Sequence, residues 1–86
     1  MNITFKAAER AAGYYCAVRD LENRLKAELN HEDNYLSHPH WYKLSDQLND
    51  EWALTEEEQA VLSFALEAGL CDYFGPEEIM EVASYR

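Results

Sequence analysis

Between Phe5 and Leu29 the apolar residues return at steps of three and four. Phe5, Ala8, Ala12, Tyr15, Val18, Leu21 or Glu22, Leu25 and Leu29 mark one face of a single long helix. A strand would need a period of two, so this stretch alone excludes an all-β fold. Asn2 or Thr4 is placed to cap the start, and Asn30 to end it. Asp20 with Arg24 and Glu22 with Lys26 are acid-then-base pairs four apart, the favourable order; Arg24 with Glu28 is the reverse. Gly13 with Ala8, Ala11, Ala12 and Ala17 forms a small-residue patch, which reads as a groove for close helix packing.

Further along, residues 31–38 show no clean period and read as a loop. Pro39 suits the first position of a second helix, in which Trp41, Leu44, Leu48 and Trp52 repeat at helical spacing. Thr55 and Glu58 form a capping box that opens a third, with Val61, Leu62, Phe64, Ala65 and Ala68 inward. Gly69 followed by Leu70 is a Schellman-type stop. Gly75-Pro76-Glu77-Glu78 opens a fourth, with Ile79, Val82 and Ala83 on its apolar side. The expected fold is all-α: a small antiparallel bundle of about four helices, the first longest. With 86 residues, 1–86 reads as one acidic helical domain. Only three Gly and two Pro occur, too few for a turn-rich barrel or sandwich.

The formal charge is −10, and it is uneven. Residues 1–30 carry five bases and four acids; residues 31–86 carry two bases and thirteen acids, a net of −11. Direct nucleic-acid binding and anionic membrane surfaces are both disfavoured by that sign. No apolar run approaches the ~20 residues of a membrane span. The opening Met-Asn-Ile-Thr-Phe-Lys lacks a basic segment leading into an apolar stretch, so the expected location is cytoplasmic. There Cys16 and Cys71 are expected as free thiols that act as small hydrophobes, buried and inert.

The sequence argues against an enzyme. It has no Gly-rich phosphate loop and no nucleophile elbow. No carboxylate pair sits in an apolar setting that would part their pKa values. His31, His38 and His40 lie beside Glu32 and Asp33, the right chemistry for a metal-responsive regulator. Their spacing fits neither a helical nor a hairpin site, so no metal or cofactor is expected.

The acids remain. Glu56, Glu57, Glu58, Glu77 and Glu78 fall in first helical turns, where the helix dipole favours them. Asp33, Asp46, Asp50, Glu51, Glu67, Asp72 and Glu81 have no such local reason, and Lys43 and Arg86 alone oppose them in this stretch. Tyr42 and Tyr73 adjoin inward-facing aromatics and so point outward, as tyrosines of binding faces do. Asp46, Asp50, Glu51, Asp72, Tyr42 and Tyr73 are therefore the expected partner-binding residues. The leading expectation is a small acidic inhibitor that occupies the basic nucleic-acid-binding surface of a partner protein. Acids on neighbouring helix turns lie ~5–6 Å apart, and several helices together approach the charge density of a duplex. In size, charge and helicity the chain resembles small acidic proteins of phages and mobile elements, among them anti-restriction and anti-CRISPR inhibitors. No motif carries that likeness, and no residue role follows from it. The alternative is a non-mimetic adaptor or immunity-type protein that binds one basic partner.

Overall fold

A computed structural model describes residues 2–29 and 34–85. They form four α-helices and no strand: α1 (Phe5–Glu28), α2 (Trp41–Trp52), α3 (Glu56–Glu67) and α4 (Pro76–Ser84). A single 3₁₀ turn, Tyr35–Ser37, precedes α2. The all-α class holds, and α1 is the longest helix at 24 residues. Contacts divide the chain into two compact units. One holds residues up to Cys16 with those from Leu54 on, and the other is Ala17–Ala53, so the boundary falls in the middle of α1.

In the first unit the small-residue row does what close packing requires. Ala7, Ala8, Ala11 and Ala12 of α1 are buried with Val61 and Ala65 of α3, Phe74, and Ile79 of α4. Alanines add no bulk, so the backbone of α1 can lie close to its neighbours. Tyr15 stacks on Phe74 with ring centroids 4.9 Å apart, and Arg10 Nε lies 3.3 Å from Glu58 Oε2. Phe5, placed inward by its period, is instead 49% exposed. It is the first helical residue, and helical side chains lean toward the N-terminus, so it reaches past the end of the face it was to cover.

The helix ends follow the local chemistry. Thr4 Oγ1 accepts from the Ala7 N–H at 3.1 Å and caps α1. Asn30, expected to end α1, lies outside the described residues. At α3 the Glu58 N–H donates to Thr55 Oγ1 (3.1 Å) while the Thr55 N–H donates to Glu58 Oε1 (2.9 Å). Leu70 N–H returns to the Ala65 carbonyl and Gly69 N–H to that of Leu66, with Gly69 at φ +96°. That pairing is a Schellman stop, and the left-handed residue it needs is the glycine. Pro76 is the first residue of α4, and the Gly75 N–H donates to Glu78 Oε1 at 3.3 Å. Pro39 is a correction: α2 starts at Trp41, with His40 as its N-cap, so the proline stands one residue ahead of the cap. The Trp41 N–H donates to the His38 carbonyl, and the turn this makes carries the chain past Pro39 before the helix begins.

The capping box sets two expectations. Thr55→Ala removes one acceptor and should cost ~1 kcal/mol, read as a lower denaturation midpoint. Glu58 is held below the ordinary carboxyl range, first by the Thr55 N–H and then, against some desolvation, by Arg10. Its contribution is present above the ordinary glutamate value and fades as pH falls through the lower folded one. An unchanged midpoint in Thr55→Ala would show that residue 55 does not start the helix.

The second unit has a mixed core. Among its described residues Leu25 is the one fully buried aliphatic side chain, and two polar side chains are buried too, Glu22 (9% exposed) and His38 (8%). Trp41, Leu44, Leu48 and Trp52 share one face of α2 as their period requires, but each is only half-buried. Between Leu21 and Glu22, the position turned inward is Glu22. Its carboxylate meets Arg19 Nη1 at 3.2 Å and lies near enough to the Tyr35 phenol to raise that group above an ordinary tyrosine. That departs from the expected Glu22–Lys26 pair, because Lys26 Nζ instead stands over the Tyr35 ring, 5.5 Å from its centroid. Tyr35 also meets Trp41 edge-on at 4.7 Å, so this tyrosine ties the 3₁₀ turn to both helices of the unit.

Candidate functional site

α2 has two opposed faces. Its apolar row is Trp41, Leu44, Leu48 and Trp52; across the helix stand Tyr42, Asp46 and Asp50, all exposed. These three are four apart in sequence, so at 100° per residue they form a row along the helix with ~6 Å of rise between members. Tyr42 is 73% exposed and heads the row. A large aromatic ring so open to water makes little contribution to the core. Lys43 is the one base on α2, against Asp46, Asp50 and Glu51.

Glu51 does not belong to that row. One residue past Asp50, it is turned about 100° further round. It lines an open groove of about 380 Å³ between the second half of α1 and α2. The remaining two expected residues, Asp72 and Tyr73, are exposed in the connection between α3 and α4. They belong to the first unit, whereas Tyr42, Asp46, Asp50 and Glu51 belong to the second. Asp72 has φ +63°, a left-handed conformation that Asp tolerates better than most residues. The neighbouring Phe74 is core, so Tyr73 faces out as its position beside an inward aromatic requires.

The first unit carries nine acids and three bases in its sequence, the second eight and four. Two first-turn acids are used within the fold: Glu58 and Glu78 each accept a backbone N–H at their helix start. Glu56, Glu57, Glu67, Glu77 and Glu81 are exposed. Paired acids in the second unit include Glu22 with Arg19, and Glu28 with both Arg24 (3.9 Å) and His38 (2.6 Å).

Of the histidines, His31 lies outside the described residues. His38 is held at both ring nitrogens: Nδ1 accepts from the His40 N–H at 3.1 Å, which places the proton on Nε2, donated to Glu28. His40 is exposed, its ring centroid 5.7 Å from that of His38. Among the described residues no three His, Cys, Asp or Glu side chains gather as a metal site requires. Both cysteines are unbridged. Cys16 is half-buried with its thiol 3.6 Å from the Phe74 carbonyl, while Cys71, expected as a buried apolar residue, is exposed. Among the described residues no helix is long and apolar enough to cross a membrane.

Sequence reasoning missed Tyr35 and the groove. Tyr35 titrates above an ordinary tyrosine, first through burial and then through the Glu22 carboxylate, with Arg19 opposing. A raised folded value favours the neutral phenol, so its stabilisation is complete below about pH 10 and is lost as pH rises through the folded value. The denaturation midpoint should therefore fall at alkaline pH, and less steeply in Tyr35→Phe. Tyr14 is also raised by burial and contributes in the same window, so the difference between the two proteins is the quantity to compare. Equal slopes would mean that Tyr35 does not hold Glu22.

With this geometry in hand, known proteins offer no parallel: no family model, no curated protein and no solved structure matches the chain.

Proposed function

We propose that this chain is a small acidic binding protein that occupies the basic, nucleic-acid-binding surface of a partner protein. The observation that carries the reading is the row Tyr42, Asp46, Asp50 on the outer face of α2, exposed and opposite the face α2 turns inward. Acids held on a helix at fixed rise present a regular array of negative charge to a surface evolved for phosphates. The net charge of −10 gives that array a field of one sign, which speeds encounter with a basic partner and repels nucleic acid itself. Tyr42 supplies flat, rigid contact area at the end of the row. Asp72 and Tyr73 repeat the acid–tyrosine pairing on the other unit.

The test is capture followed by competition. Tagged protein retains a partner from lysate at low salt, the partner is identified and purified, and duplex DNA is then titrated against the complex. A mimic is displaced by DNA at concentrations that saturate the partner. A partner that binds DNA and this chain together would make the chain an adaptor.

A further inference from the structure

We infer that the groove between the second half of α1 and α2 is an anchor site for one large apolar side chain, carried beside a lysine or arginine on a basic protein partner. This rests on the reading of the partner as basic, and goes beyond it by naming a second, apolar element of recognition. The groove measures about 380 Å³ and is open to solvent. Its floor is Ala17 and Leu21 of α1 with Leu44 and Leu48 of α2. Leu21, Leu44 and Leu48 are each half-exposed, and no residue of α2 is fully buried. The volume lies at the small end of ligand sites, enough for one indole or long aliphatic side chain with its first backbone atoms.

Charge selects the occupant. The rim holds Asp20, Glu51, Arg24 and Gln47. Two carboxylates and one guanidinium stand among the lining residues, so the formal excess around the mouth is negative. A second copy of this chain brings a further −10 and is repelled, and a nucleic acid is repelled for the same reason. A cation next to an apolar group satisfies both the floor and the rim, and the Gln47 carboxamide offers a donor and an acceptor to its backbone. Aromatic anchors in pockets edged by charge are where binding energy concentrates. The acidic row steers approach, and the anchor slows departure, so part of the affinity survives added salt.

Tryptamine, an indole bearing an ammonium, is the minimal probe, titrated into the full chain while backbone amides are followed by NMR. The amides of Leu21, Leu44 and Leu48 should shift together, saturating with a dissociation constant on the order of 1–10 mM. Indole-3-acetate, the same ring with the opposite charge, should bind at least about threefold more weakly. Glu51→Gln, an exposed change that leaves the fold intact, should weaken tryptamine by about threefold. Asp46→Asn with Asp50→Asn should leave tryptamine binding unchanged, so a failure of the acidic-row reading does not register here. Absent or scattered shifts, equal binding of both indoles, or a dimer in sedimentation that closes the groove would each overturn the proposal. Such a failure would leave competition with duplex DNA untouched.

Discussion

Leu25→Ala should remove about 3 kcal/mol of stability, the largest loss expected from any single side chain of the second unit. Leu25 is fully shielded from water in a unit whose other buried side chains, among the described residues, are a glutamate and a histidine. Truncation removes transfer energy and leaves a cavity. Collapse into that cavity is restricted, since the other buried side chains of the unit, Glu22 and His38, are each fixed by polar contacts of their own. For a chain of this size that loss is a large part of the total. Ile79→Ala in the first unit should cost a comparable amount, since the alanines around it have no side-chain rotamers with which to fill the space. Chemical denaturation of both variants, with amide exchange on each unit, reads the result. A Leu25→Ala midpoint within error of the parent would mean that the second unit is not organised around this residue.

The second large effect is on binding. Asp46→Asn, Asp50→Asn and Asp72→Asn together should weaken the partner complex by about 2–4 kcal/mol, some thirtyfold to a thousandfold. Asn keeps size and hydrogen bonding while removing charge. At Asp72 it is also the substitution that φ +63° accepts, whereas Lys there would add backbone strain and confuse the reading. The fold should hold or gain slightly, because three like charges leave a strongly acidic surface. The two single-unit variants separate the faces: Asp46 and Asp50 on α2, Asp72 in the other unit. A full effect from Asp72→Asn alone would move the contact face off α2.

How much of this was legible in the sequence depended on the range of the interaction. The starts of α3 and α4 and the stop at Gly69 were readable because caps are settled within a few residues: Thr55 with Glu58, Gly75 with Glu78, Leu70 with Ala65. The outward row of α2 was readable because Asp46 and Asp50 lie four apart, opposite a clear apolar period. The inward choice at Leu21 or Glu22 was not. Adjacent positions are only 100° apart, both near the seam, and Tyr35, a neighbour of the inward Glu22, arrives from thirteen residues away in sequence. The same blindness grouped Glu51 with Asp50, although one turns to the groove and the other to solvent. Pro39 misled because proline permits a helix start without compelling one. The two-unit division has no local signature, since α1 runs through it unbroken.

The most direct test of the acidic row is the association rate of the purified partner, measured for the parent and for Asp46→Asn with Asp50→Asn across a tenfold range of ionic strength. One-signed surfaces steer encounter, and salt screens that steering over roughly 8–10 Å at physiological strength. The parent rate should fall steeply with salt, the variant should start slower and fall less, and the two should converge at high salt. Parallel curves, or a parent rate that ignores salt, would contradict the account and leave the acids of α2 as a solvated surface.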